Sequence, residues 1–166
     1  MHILPDHTAK TELQLLVRGL VYAPGDASYE SEAAAFNLAT RHTPDLVLTA
    51  FDADDVVAAV RWASARNMSI PIQSTGRGAA NAVSDGLLIS TRYMLELSID
   101  PDERTARVGA GVRWRDVLRA AAPNGLTGCT APPPTSAWSA TPSAAGCPSW
   151  AASTALHRTM SSPLTW

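Results

Sequence analysis

The segment best suited to chemistry in this 166-residue chain is Gln73-Ser74-Thr75-Gly76-Arg77-Gly78-Ala79, a run of mostly small side chains with two glycines. Glycine reaches positive φ and lets other groups approach the backbone, so Gly76 and Gly78 allow successive N–H groups to turn toward one anion. A diphosphate, rich in acceptor oxygens, suits such a nest, and the Ser74 and Thr75 hydroxyls add two donors. Arg77 offers a planar fork of donors to a phosphate, or faces solvent as an ordinary loop arginine. The same residues would also make a plain glycine turn between strands, and the segment alone does not decide. It is not the dinucleotide fingerprint, because no G-x-G-x-x-G opens a helix. Elsewhere the reactive types are isolated. His42, His157 and the N-terminal histidines have no partner at ligand or triad spacing. Arg113 and Arg115 beside Trp114 read as a solvated helix start, and Tyr29 as a packing residue. No catalytic residue and no metal set is assigned.

The elements that must position this loop follow from periodicity. Leu13, Leu16, Val17 and Leu20 share one helical face, which predicts a helix over 9–20. Val21–Asp26 reads as a short extended piece closed by Pro24-Gly25, and Ser28 as the cap of a helix over Tyr29–Thr40, stopped by Pro44. Leu46-Val47-Leu48 is a buried strand. Asp52 caps a helix to about Arg66 with Val56, Val57, Val60 and Ala63 as its stripe, and Asn67 is a left-handed stop. Ile70–Gln73 is a strand whose proline places it at an edge or a strand start, giving a βαβ unit. Gly86–Ser90 is the next strand, Leu95–Asp100 and Thr105–Gly109 form a hairpin, and Trp114–Ala122 is a helix stopped by Asn124-Gly125.

Taken in order, these pieces resemble the vanillyl-alcohol oxidase / p-cresol methylhydroxylase family of FAD-dependent oxidoreductases. The resemblance rests on Pro24-Gly25-Asp26 with Tyr29, Asp45-Leu46-Val47, Asp55–Val60, Pro71–Gly78, Asp85–Thr91, and Arg104–Gly111 with Trp114 and Val117-Leu118. Their order and spacing over roughly residues 13–127 make it specific. It implies an α+β fold: a small βαβ-containing subdomain, then the first strands of a second, mainly antiparallel sheet. It implies FAD as cofactor, held by its diphosphate at Gln73–Ala79, and a small organic substrate oxidised by hydride transfer to the flavin. Many members have histidine where this chain has Arg77, and in those with a covalent flavin that histidine makes the bond. A guanidinium does not replace it, so non-covalent FAD is expected.

Composition changes abruptly at Gly128. Residues 128–166 contain no Asp, Glu or Lys and only Arg158 as a full charge, yet hold six of the twelve prolines, three of the five tryptophans and both cysteines. Repeated Ala, Ser, Thr and Pro without periodicity predict irregular structure. The family resemblance implies a second glycine-rich flavin contact after Trp114–Ala122, and none is present. Displaced by one base from Gly128, however, the tail's codons can be read as LHGSAPNVGVVGYTLGGGLPVLG. Tryptophan has a single codon, so Trp138 fixes a leading G that permits the expected valine, and Trp150 before Ala151 forces a glycine. Twelve arginines against the single Lys10 suit the GC-rich wobble bases this needs. The expectation is a lost base near Thr127.

Three segments are therefore expected: an N-terminal helical segment at 1–20, a partial FAD-binding domain at 21–127, and an out-of-frame tail at 128–166. With the antiparallel half and the substrate domain missing, the chain alone would be inactive, and Leu87–Ser90 and Thr105–Gly109 would keep unpaired edges. The other readings are a non-catalytic truncated remnant and a phosphate-ligand binding module without redox work. A net charge of −2 argues against nucleic acid as partner. No apolar run approaches the roughly 20 residues that span a bilayer, and the N-terminus lacks a signal-peptide pattern, so the cytoplasm is expected.

Overall fold

The computed structural model describes residues 7–37, 39–76 and 81–126, and the backbone of 151–154. It divides into two compact units, Met1–Tyr93 and Met94–Trp166. The first begins with α1 (His7–Gln14), β1 (Leu20–Tyr22), α2 (Tyr29–Ala33) and β2 (Leu46–Thr49), followed by α3 (Ala53–Ser64), β3 (Ile72–Gln73) and β4 (Leu87–Ser90). Its sheet has the order β1-β2-β4-β3, with β1 antiparallel to β2 and the other three strands mutually parallel. All residues of β2 and β4 are buried, as expected for strands covered on both faces. On one face Val47 and Leu88 meet Tyr29 and Ala33 of α2. Strand alternation turns Leu46, Leu48, Leu87 and Ile89 to the other face, where they are also closed to solvent. The crossover through α3 lands on β3, one strand beyond β4, and β3 is the edge strand that Pro71 predicts.

In the second unit β5 (Leu97–Asp100) and β6 (Thr105–Val108) form the expected antiparallel hairpin, with Arg104 at φ 52 in its turn. Helix α4 (Trp114–Ala121) and a 3₁₀ turn (Ala122–Asn124) follow, and Gly125 closes them in the left-handed conformation, at φ 68. Trp114 and Val117 pack with Ala106, Val108 and Val112, and Leu97, Ile99 and Leu118 border the cluster. Strand β7 (Ala151–Thr154) pairs parallel to β6.

Several expectations are corrected. Helix α1 stops at Gln14, because the Gln14 side chain receives the Val21 N–H and donates to the Gly19 carbonyl (2.9 and 2.8 Å). The chain then joins β2 as a strand, leaving Leu16 and Leu20 exposed. Helix α2 ends at Ala33 rather than Thr40, with Ala34 extended (φ −60, ψ 130). The buried face of α3 is Asp55, Ala59, Trp62 and Ala63, and Val57 is exposed. Asp55 sets that rotation: its carboxylate accepts the N–H groups of Arg18, Gly19 and Phe51 (2.6, 3.0 and 3.0 Å). The approach leaves no room beside Gly19, where a Cβ would lie 2.1 Å from the Thr49 carbonyl oxygen. Leu87–Ser90 and Thr105–Val108 have no unpaired edge, since β4 lies between β2 and β3, and β6 between β5 and β7. Residues 151–154 are a strand where irregular structure is expected. Pairing there uses only backbone groups, which need no side-chain pattern.

Candidate functional site

The three parallel strands end level, tied by Ala50 N–H to Ser90 O and Thr91 N–H to Gln73 O, both 2.9 Å. Ligands of parallel α/β sheets bind beyond such carboxyl ends, and the loop of interest leaves β3 there. Gln73 is buried, and its amide donates to the carbonyls of Glu32 and Ala33 at 3.4 and 3.5 Å. Ser74 and Thr75 are half-buried. Gly76 is buried at φ +69, with its carbonyl accepting the Phe36 N–H (3.3 Å). A Cβ on Gly76 would lie 2.7 Å from Phe36 N and 2.8 Å from Ala35 Cα. Conformation and space therefore both demand glycine. Arg77, Gly78 and Ala79 lie outside the described residues. The segment after the loop is fixed by Val83, whose N–H donates to His42 Nδ1 (2.9 Å) and whose carbonyl accepts the Thr43 N–H (2.7 Å).

The surroundings are polar. Glu32, 8% exposed, accepts from the Tyr93 hydroxyl (3.3 Å) and pairs with Arg92 (3.5 Å). Burial first, and then the nearby Glu32 carboxylate, push the Tyr22 hydroxyl above its ordinary pKa of 10.0. The Tyr29 hydroxyl donates to the Pro44 carbonyl (2.5 Å), and burial, then Asp45 and Glu30, raise its pKa. Tyr29 is thus a packing residue, as expected. Arg113 and Arg115 are exposed at the start of α4. Among the described residues, no group of three or more His, Cys, Asp or Glu is placed to hold a metal ion. No described helix is long and apolar enough to cross a membrane.

A tight glycine turn with small neighbours, at the carboxyl end of a parallel strand, suits a diphosphate-bearing cofactor. Residues 44–149 match the FAD binding domain family. The chain belongs to that family. This FAD binding domain is 29% identical over 125 residues to (R)-6-hydroxynicotine oxidase of Paenarthrobacter nicotinovorans, covering 74% of this chain and 27% of that protein. It is 29% identical over 111 residues to D-lactate dehydrogenase of Archaeoglobus fulgidus, covering 64% and 25%. The chain thus spans about a quarter of the length of these curated relatives. The solved structure of 6-hydroxy-D-nicotine oxidase from Arthrobacter nicotinovorans superposes with a TM-score of 0.60 at 28% identity, over 66% of this chain and 24% of that one. The xylooligosaccharide oxidase of Myceliophthora thermophila C1 shares the fold, with a TM-score of 0.60 at 19% identity, over 71% and 25%. The fold is the α+β arrangement of the FAD-binding domain of FAD-linked oxidoreductases.

Sequence reasoning missed His42, which holds the segment after the loop, and Glu32, whose carbonyl receives the Gln73 amide and whose carboxylate pairs with Arg92. Their partners lie far away in the chain, and no local period announces them.

Proposed function

We propose that residues 21–127 hold FAD by its diphosphate at Gln73–Ala79, as part of an oxidoreductase acting on a small organic substrate. Gly76 carries this reading: at φ +69 and pressed against Ala35 and Phe36, it holds the start of the loop in a turn open only to glycine. The main-chain N–H groups and the Ser74 and Thr75 hydroxyls would serve as donors, and Arg77 would pair with a phosphate. With arginine where a tethering histidine would stand, the flavin is non-covalent. When bound, FAD supplies the two-electron acceptor that takes a hydride from the substrate carbon. The chain's own residues position the cofactor.

The tail is proposed to be an out-of-frame reading of the second glycine-rich wall. Support comes from the loss of acidic residues after Gly128 and from the two tryptophan codons. Sequencing the gene across codon 127 tests this. The proposal expects a GGG-encoding stretch in the displaced frame, and bases that encode none there would overturn it.

The cofactor reading is tested by incubating the purified chain with FAD, removing free flavin, and precipitating the protein with acid. A flavin spectrum that leaves with the supernatant is expected. A colourless protein contradicts flavin binding, and a yellow pellet contradicts the non-covalent reading.

A further inference from the structure

Helix α2 is five residues long, too short to be stable without tertiary support. The last carbonyls of a helix lack intrahelical donors, and here two distant side chains supply them. Arg92 donates to Ser31 O (3.4 Å) and Ala34 O (3.5 Å), and Gln73 to Glu32 O (3.4 Å) and Ala33 O (3.5 Å). Arg92 also pairs with Glu32, whose carboxylate receives the Tyr93 hydroxyl. The guanidinium thus closes the helix at Ala34, whose extended backbone (φ −60, ψ 130) leads into Ala35 and Phe36. Gly76 is seated on the backbone of Ala35 and Phe36.

We infer that Arg92 is a positioning residue for the flavin loop: it fixes Ala34–Phe36, the backbone template on which Gln73–Gly76 takes its shape. This rests on the flavin reading of the loop but acts through bonds that exist without cofactor. The planar fork matters, because its two ends reach carbonyls three residues apart, and a lysine ammonium is a single point.

Hydrogen exchange and FAD titration on the full chain, wild type against Arg92→Met and Arg92→Lys, test the inference. In Arg92→Met, amides of 34–36 and 74–76 should exchange about tenfold faster, as expected for loss of a charge-assisted hydrogen bond. FAD affinity should fall by a similar factor, β2 and β4 should keep their protection, and Arg92→Lys should fall between. Unchanged exchange at 74–76, or an equal rise across β2 and β4, would overturn the inference, the latter because it marks general loosening. If Arg92→Met does not fold, Arg92→Lys decides: a rise confined to 34–36 and 74–76 supports the inference, and no rise there refutes it. A wild-type chain that ignores FAD refutes the flavin reading, while the exchange data still report on the clamp.

Discussion

Strands β2 and β4 are buried at every residue, whereas β6 buries only alternate positions and β5 half-buries them: Ala106 and Val108 point into a core while Ser98, Asp100 and Arg107 meet solvent. In the first unit α2 packs against Val47 and Leu88, and the opposite residues of β2 and β4 are equally buried. In the second, α4 covers one face of a hairpin. The difference teaches where a rigid shelf forms. Strands enclosed on both sides end at fixed positions, and the loop proposed to hold the flavin leaves the neighbouring edge strand β3 level with that end. A sheet with one wet face tolerates change on its outer side.

The largest effect that sharpens this comparison is expected from Asp55→Ala. It orphans three N–H groups that lock α3 to the β1 approach and to β2. Urea denaturation should show a loss of about 4 kcal/mol. Next is Gly76→Ala, which should cost about 3 kcal/mol through its positive φ and the contact with Phe36. Val117→Ala, in the second core, should cost about 2 kcal/mol, and its faster hydrogen exchange should stay within residues 97–121. Spread of that exchange into β2 would break the picture of two cores. At the small end, Ser98→Ala on the wet face should change stability by less than about 0.5 kcal/mol.

A pH titration separates the units further. Tyr22 and Tyr29 have folded pKa values raised above the ordinary 10.0. A raised pKa contributes stability that is complete below about pH 10 and is lost as pH rises through the folded value. Thermal unfolding of the first unit should therefore fall above about pH 10, and Tyr29→Phe should flatten the decline. A decline that is as steep in Tyr29→Phe as in the wild type would assign it to other groups.

Much of the fold is legible locally. Apolar runs give β2 and β4, the Asp52 side chain accepts the Asp55 N–H as a cap should, Asn67 takes positive φ, and alternation gives the hairpin. What local pattern cannot report is a helix end decided from afar. Helix α1 stops where Gln14 captures the next strand, and α2 stops where Arg92, 58 residues beyond Ala34, takes its carbonyl. The turn of α3 about its axis follows Asp55, not the valine stripe. For the candidate site, the glycine pattern marks the turn that follows β3. The reason Gly76 must be glycine, its seat on Ala35 and Phe36, exists only in three dimensions.

Parallel fluorescence titrations of FAD and riboflavin with the purified chain test the central claim most directly, since only FAD carries the diphosphate. Saturable quenching of FAD, with riboflavin bound at least about tenfold more weakly for want of charge-assisted hydrogen bonds to the loop, is the predicted result. Equal affinity for both flavins, or no response to FAD, would contradict a diphosphate site at Gln73–Ala79.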